Sequence, residues 1–131
     1  MQLDDCTICG TILIMDEVKI LTVSFFKSEM NHEPVREWLQ SLNKENKKTI
    51  GEDILLVQFR WPLGMPLVRK MEIDLWELRS KLSSGDISRV FFTINKSEMI
   101  LLHGFIKKSQ KTPLKDIELA RTRKNKWFRE V

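Results

Sequence analysis

The run from Met71 to Ile106, MEIDLWELRSKLSSGDISRVFFTINKSEMILLHGFI, decides the fold of this 131-residue chain. It holds three segments rich in β-branched, aromatic and aliphatic residues, Met71–Lys81, Ile87–Asn95 and Glu98–Ile106. Ser-Ser-Gly-Asp and Lys-Ser separate these segments, and such residues are typical of tight turns. Because consecutive strands joined by short turns pair antiparallel, the run predicts a three-stranded antiparallel meander.

One strand and two helices are predicted ahead of this meander. Val18–Phe26 is rich in β-branched and aromatic residues, which favours a strand. Pro34 suits the first turn of a helix, and Asn43 can end that helix and cap a second one from Lys44 to about Phe59. Two helices joined so closely should form an antiparallel hairpin. The apolar positions that recur at helical spacing and should face the core are Val35, Trp38, Leu39, Leu42, Ile50, Ile54 and Val57.

A last helix is predicted after the meander. Thr112 and Pro113 form a pair typical of a helix start, with Thr112 as the N-cap, and the helix should run to about Lys126. Leu114, Ile117 and Ala120 should face inward. The element order β-α-α-β-β-β-α predicts an α+β fold. Its antiparallel-rich four-stranded sheet should carry the N-terminal helical hairpin on one face, together with a C-terminal helix.

Length and composition exclude several classes of protein. With 42% apolar residues, four Trp and seven Phe, the chain can build the core of one domain. No stretch approaches the roughly 20 apolar residues of a membrane span, so we expect no association with a membrane. Two Cys cannot build a disulfide framework, so we expect a cytoplasmic protein.

Residues 1–15 differ from the rest of the chain, because they contain both Cys and no basic residue. Cys6 and Cys9 have the spacing of half a zinc site, but zinc takes four ligands and both His are distant in sequence. We therefore expect no metal and no cofactor. Residues 1–15 are predicted to be a non-essential extension, with Met15 as an alternative start, and residues 16–131 to form a single domain.

The net charge of +4 conceals an uneven distribution along the chain. Residues 1–88 carry 11 basic and 14 acidic side chains, whereas residues 89–131 carry 11 basic and 4 acidic ones. The C-terminal third is therefore strongly cationic, and such a surface attracts polyanions, with RNA or DNA as the first candidate. Charge alone leaves open the alternative that a solvated basic helix keeps the protein soluble.

A group of cations suggests the chemistry, since the sequence has no Gly-rich phosphate loop, zinc-protease motif or Ser-His-Asp pattern. Arg79 lies late in the first meander strand and Arg89 opens the second, so the two should be neighbours. Lys107, Lys108 and Lys111 follow the third strand, but the sheet order that would bring them close is not readable from the sequence. Clustered cations can stabilise the charge that builds on a phosphate when a ribose 2′-OH attacks it.

Two further residues are candidates for proton transfer. His103 is the C-terminal residue whose ordinary pKa is near neutral pH, although a hydrogen-bonded imidazole in the core is the alternative for a His within an apolar strand. Glu77 shares a strand face with Arg79 and is a candidate base, and the alternative is an ion pair between the two.

Five segments stand out together by their order and spacing. They are Phe25-Phe26, Glu33–Leu39 (EPVREWL), Leu75–Arg79 (LWELR), Arg89–Phe92 (RVFF) and Leu101–Pro113 (LLHGFIKKSQKTP). Together they closely resemble the phage-derived HigB-like toxins of the RelE superfamily. The resemblance covers about residues 18–126, and the LWELR and LLHGFIKKSQKTP segments are its most specific parts.

The resemblance implies a RelE-like fold and a type II toxin–antitoxin toxin. Such a toxin is a ribosome-dependent endoribonuclease that cleaves mRNA and is held inactive by a cognate helix-turn-helix antitoxin. In that family, basic residues on the sheet and after its last strand bind the scissile phosphate, and the matching positions are Arg79, Arg89, Lys107 and Lys108. The other candidates for RNA binding are Lys70, which matches a basic position of the family, and Lys111, Arg121, Arg123 and Lys124.

The chain departs from the family pattern in having no Tyr. Several RelE-type toxins use a Tyr as acid or base, and Phe92 stands at a comparable position here. Proton transfer would then fall to His103, Glu77 or a Lys. Two other classes stay open: a non-catalytic RNA- or ribosome-binding protein on the same fold, and a protein-interaction module with an acidic partner.

Overall fold

The computed structural model describes residues 18–108 and 111–131 of the chain. Its elements are, in chain order, β1 (Thr22–Phe25), α1 (Pro34–Ser41), α2 (Lys44–Arg60), β2 (Val68–Glu72), β3 (Leu75–Lys81), β4 (Ile87–Asn95), β5 (Glu98–Lys107) and α3 (Leu114–Glu130). The strands form one sheet in the order β1-β5-β4-β3-β2. β1 runs parallel to β5, and the other neighbouring pairs are antiparallel. The predicted α+β class and the antiparallel meander are confirmed.

The sheet has five strands rather than the predicted four, because Met71–Lys81 is not one strand. The segment is divided between β2 and β3 by a turn at Ile73 and Asp74. Asp74 has a backbone φ of 58°, a left-handed conformation that Asp tolerates better than most residues. Apolar and polar residues alternate across this turn without a break, so the periodicity did not reveal it.

The two N-terminal helices form where they are predicted, and both pack on one face of the sheet, here called the hairpin face. Asn43 caps α2, because its Oδ1 accepts a hydrogen bond of 2.8 Å from the backbone N–H of Asn46. α1 lies against β1 and β5, and α2 lies against β3. The predicted inward residues Val35, Ile50, Ile54 and Val57 are buried there against apolar side chains of the sheet.

Gly104 allows α1 to lie close to β5. A Cβ atom at position 104 would lie 2.4 Å from the Trp38 side chain, well inside van der Waals contact. The glycine of the LLHGF segment is therefore required by the packing of Trp38 on the hairpin face.

α3 covers part of the opposite face of the sheet, here called the α3 face. Ala120 is buried, and Ile117 and Trp127 pack partly buried against the apolar side chains of this face. The prediction that Leu114 faces inward is wrong, since it is 65% exposed. The buried stripe of α3 instead includes Asp116, two residues further along the helix, so Leu114 points away from the sheet.

Within the two described ranges, the structure contains no helix that combines enough length and apolar character to cross a membrane.

Candidate phosphate-binding site

The strand pairing brings four of the predicted site residues to the α3 face. Arg79 on β3 is paired with Arg89 on β4, as the sequence predicts. One step along the same face, Glu77 is paired with Phe91, which is paired in turn with His103 on β5. Because side chains two residues apart on a strand share a face, these residues form adjacent rows across three strands.

Glu77 is the centre of a buried polar cluster. Its side chain is fully buried, and its Oε1 accepts a hydrogen bond of 3.1 Å from Nη1 of Arg79. Its Oε2 accepts a hydrogen bond of 2.6 Å from the Thr112 hydroxyl and lies 3.6 Å from Nε of Arg89. We call these four residues, Glu77, Arg79, Arg89 and Thr112, the arginine cluster. Both carboxylate oxygens of Glu77 are therefore engaged inside the protein.

The arginine cluster carries more positive than negative charge. Burial lowers the pKa of Arg89, the nearby Glu77 carboxylate opposes that effect, and the charges of Arg79 and Arg69 lower the pKa further. An arginine nevertheless stays protonated in proteins. One carboxylate therefore faces two guanidinium groups, and a net positive charge remains at this part of the α3 face.

Thr112 does not cap α3 as the sequence predicts. The N-cap residue is Pro113, and no side chain caps the helix. The Thr112 hydroxyl is instead bound to Glu77, which lies 35 residues earlier in the chain. The sequence signal for a cap was local, whereas the partner that Thr112 uses is supplied by the tertiary fold.

Arg69 joins this face, and sequence reasoning missed it. It is exposed and is paired with Glu77 across the β2–β3 hairpin. Lys70, the predicted RNA-binding residue, is paired with Trp76, and its Nζ lies 5.9 Å from that ring. Since Trp76 packs on the hairpin face, Lys70 lies on the opposite side of the sheet from Arg79 and Arg89. Strand alternation would have found Arg69 if the β2–β3 turn had been recognised.

The lysines at the end of β5 and directly after it lie exposed near the arginine cluster. Lys107 is paired with Ile87, two residues before Arg89 on β4. Lys108 follows at the end of the strand, and Lys111 directly precedes Thr112. The sheet order, with β5 beside β4, is what brings this cationic segment to the same end of the sheet as the two arginines.

His103 lies apart from the arginine cluster, with Phe91 between it and Glu77 in the row of paired residues. Its Nε2 lies 2.7 Å from Oδ1 of Asp116 on α3, and its ring stacks with Phe91 and Phe105. Burial lowers the pKa of His103, and the hydrogen bond to Asp116 opposes that shift without cancelling it. The structure thus gives His103 the contacts of a core imidazole that connects β5 to α3.

The predicted RNA-binding residues of α3 have partners within the protein. Arg121 donates hydrogen bonds of 2.9 and 2.7 Å to the two carboxylate oxygens of Glu72. Arg123 donates to the backbone carbonyl of Leu102 at 2.8 Å, and Lys124 donates to that of Ile73 at 3.1 Å. These contacts attach α3 to the sheet.

An open groove of about 620 Å³ passes Arg79. Its size falls within the range of small-ligand sites. Its lining includes polar groups from α2, apolar side chains from the α2–β2 loop, and a second cation. The lining residues are Thr49, Asp53, Met65, Pro66, Leu67, Arg79, Lys81 and Ile87.

The fold and this site define a small α+β protein with a largely buried arginine cluster on one face of its sheet and exposed cations beside it. A family model described as phage derived protein Gp49-like (DUF891) matches residues 37–125, well over half of the chain. The chain therefore belongs to this phage-derived family, a family of toxin–antitoxin-type toxins. No curated protein gives a significant sequence match. The match spans every residue of the arginine cluster and the lysines after β5.

Within the ranges that the structure describes, no group of His, Cys, Asp and Glu side chains could hold a metal ion. Cys6 and Cys9, with the predicted extension, lie outside these ranges. The two residues between Lys108 and Lys111 also lie outside the described ranges.

Proposed function

We propose that the protein is the toxin of a type II toxin–antitoxin system, a HigB-like endoribonuclease of the RelE superfamily that cleaves mRNA on the ribosome in the cytoplasm. The arginine cluster carries this proposal. Its Arg79 is 12% exposed, with the exposed Arg69 beside it and exposed lysines at the end of β5. Arg89 is fully buried beside Glu77, so the predicted contact of Arg89 with the phosphate is not part of this proposal. Membership of a toxin family supports the same conclusion.

The proposed reaction is an attack of a ribose 2′-OH on the adjacent phosphorus. The new P–O2′ bond forms as the P–O5′ bond breaks, which leaves a 2′,3′-cyclic phosphate and a 5′-OH end. A base takes the 2′-OH proton, and an acid gives a proton to the leaving O5′. Arg79 and the exposed lysines Lys107 and Lys108 stabilise the charge that grows on the phosphate oxygens. Each well-placed donor of this kind accelerates a reaction by about 10²–10³-fold.

We propose fewer residues for the two proton transfers than the sequence suggested. Glu77 is fully buried, and both its oxygens are engaged, so it does not meet the geometric requirement of a base that contacts substrate. His103 is 16% exposed and bound to Asp116. We therefore propose that Lys107 or Lys108, both exposed at the end of β5, donates the proton to the leaving O5′.

The test is primer extension on mRNA from cells that express the protein. The Lys107→Ala/Lys108→Ala variant should lose on the order of 10²-fold or more in cleavage. The matched control is Lys47→Ala/Lys48→Ala, which removes the same charge from the exposed surface of α2 and should cleave like the wild type. Wild-type expression without new mRNA ends would exclude the proposed activity, and equal cleavage by both double variants would exclude this site.

A cognate antitoxin follows from the proposed function. We propose a helix-turn-helix protein encoded by a neighbouring gene, and we expect it to present acidic side chains to the cationic part of the α3 face. Charge complementarity of this kind raises association rates and makes them sensitive to salt. Coexpression with the product of that gene should abolish growth arrest.

A second candidate function is favoured by the absence of Tyr and by the engagement of Glu77. It is a non-catalytic protein that binds RNA or the ribosome on the same fold. Binding to single-stranded RNA would then weaken with salt, with a log–log slope of about −0.7 per neutralised phosphate, while the RNA stays intact.

A further inference from the structure

The hydroxyl of Thr112 occupies an unusual place for a residue next to a helix start. It lies in a buried contact with Glu77 at 2.6 Å, although its position in the sequence suits a helix cap. Arg79 binds the other oxygen of the same carboxylate. Thr112 therefore completes the set of contacts that holds the Glu77 side chain, and through it the two guanidinium groups.

Thr112 also ends the cationic segment that begins at Lys107. The hydrogen bond of Thr112 to Glu77 fixes the chain directly after Lys111. Lys111 directly precedes Thr112 and is exposed. One buried hydroxyl thus contacts the carboxylate that the arginines share and lies directly after the exposed Lys111.

We propose that Thr112 is a positioning residue for the phosphate-binding site, acting through Glu77. This proposal rests on the proposed function. A donor stabilises a transition state only if it is held in place before the reaction, because moving it during the reaction costs part of the gain. Without the Thr112 hydroxyl, the Glu77 carboxylate can turn, and the guanidinium groups that it holds turn with it. Glu77 then serves as an internal anchor rather than as the base.

The test compares Thr112→Val with Thr112→Ser in the full chain. Val keeps the size and branching of Thr but has no hydroxyl, whereas Ser keeps the hydroxyl. In a ribosome-dependent cleavage assay, Thr112→Val should lower kcat by roughly 10–100-fold with a smaller change in KM, and Thr112→Ser should stay within a few-fold of the wild type.

The matched control is Thr93→Val on β4. Thr93 is also fully buried, but its hydroxyl has no hydrogen-bond partner among the described residues. This variant should keep wild-type kcat and KM. If Thr112→Val is folded and cleaves like Thr93→Val, the positioning role is wrong. It is also wrong if Thr112→Val lowers only the melting temperature and leaves kcat of the folded protein unchanged.

A double-mutant cycle covers the case in which Thr112→Val does not fold. Glu77→Gln, Thr112→Ala and their combination are compared by kcat. Because Ala lacks the hydroxyl, the Ala variant should lower kcat less in the Glu77→Gln background than in the wild type if Thr112 acts through Glu77. Independent effects that simply multiply would overturn the proposal.

Failure of the proposed function gives a different result from failure of this inference. If the wild type cleaves no RNA on the ribosome, the role of Thr112 is tested by the affinity of each variant for a single-stranded RNA oligonucleotide. Thr112→Val should then weaken binding several-fold while Thr112→Ser and Thr93→Val retain it. Equal affinity of all four proteins would exclude the positioning role independently of catalysis.

Discussion

At the scale of single residues, the function of a charged side chain depends on which face of a strand it occupies. Arg69 and Lys70 are adjacent on β2, and both are exposed cations. Arg69 lies beside Glu77 on the α3 face, whereas Lys70 lies beside Trp76 on the hairpin face. If the pairing of β2 with β3 shifted by one residue, Lys70 would take the place of Arg69 beside the arginine cluster.

The pair Arg69 and Lys70 therefore gives a sharp test of the site. Arg69→Ala should weaken binding of single-stranded RNA and reduce the salt slope, because it removes one cation beside the arginine cluster. Lys70→Ala removes the same charge from the neighbouring residue and should change neither the affinity for RNA nor the salt slope. Fluorescence anisotropy over a series of salt concentrations measures the affinity and the salt slope of each variant. A larger loss for Lys70→Ala would mean that RNA binds the hairpin face.

Gly104 gives a prediction about stability. Gly104→Ala should destabilise the protein by about 1–3 kcal/mol, because the added methyl group overlaps the Trp38 ring. Gly51→Ala is the control, since Gly51 lies within α2 with nothing near its added Cβ. That change should stabilise the protein by roughly 0.5–1 kcal/mol. Urea denaturation measures both, and two variants that shift in the same direction would contradict the packing of α1 on β5.

At the scale of elements, α3 is attached to the sheet mainly by polar contacts. Arg121 and Lys124 hold the β2–β3 hairpin, Arg123 holds β5, and Asp116 holds His103. The helix has few apolar residues in its buried stripe, so these contacts determine how it lies on the sheet. The predicted RNA-binding residues Arg121, Arg123 and Lys124 therefore attach α3 to the sheet.

The His103–Asp116 contact gives this attachment a dependence on pH. Burial lowers the pKa of His103 in the folded protein, although Asp116 opposes the shift. An unfolded His takes up its proton near pH 6.5, so below that pH the unfolded state binds more protons until the folded pKa is also passed. Stability should therefore fall as the pH decreases through this window, by at most about 1.4 kcal/mol per pH unit.

The substitution His103→Gln should remove part of this pH dependence. Gln keeps a donor for Asp116 but has no proton to take up in this range. Denaturation at about pH 7.5 and about pH 5.5 should show a smaller difference for His103→Gln than for the wild type. If the wild type instead loses less stability than His103→Gln on going to the lower pH, the pKa of His103 is raised rather than lowered.

At the scale of the whole molecule, the excess positive charge of the C-terminal third is divided between two uses. Four cations of α3 pair with Glu72, with backbone carbonyls or with Glu29, namely Arg121, Arg123, Lys124 and Lys126. The exposed lysines at the end of β5 and the arginines of the sheet remain at the other end of the α3 face. The net charge is therefore a poor guide to affinity for RNA, and the position of each cation decides it.

The sequence by itself determined the elements, because turns, helix caps and apolar periodicity are local properties. It located α1, α2, β4, β5 and α3 to within a few residues, and it identified Arg79 and Arg89 as neighbours, since a short turn joins their strands. From short ordered segments it also predicted a phage-derived HigB-like toxin of the RelE superfamily, of which the family match confirms the phage-derived family of toxin–antitoxin-type toxins.

Only the tertiary structure decided the division into β2 and β3, the parallel pairing of β1 with β5, and the partner of the Thr112 hydroxyl. Each of these depends on contacts between residues far apart in the chain. Local patterns carry no information about such contacts, because the energy that selects them comes from burial and pairing in the completed sheet. The arginine cluster belongs to this second group: its residues are visible in the sequence, and their arrangement is a property of the fold.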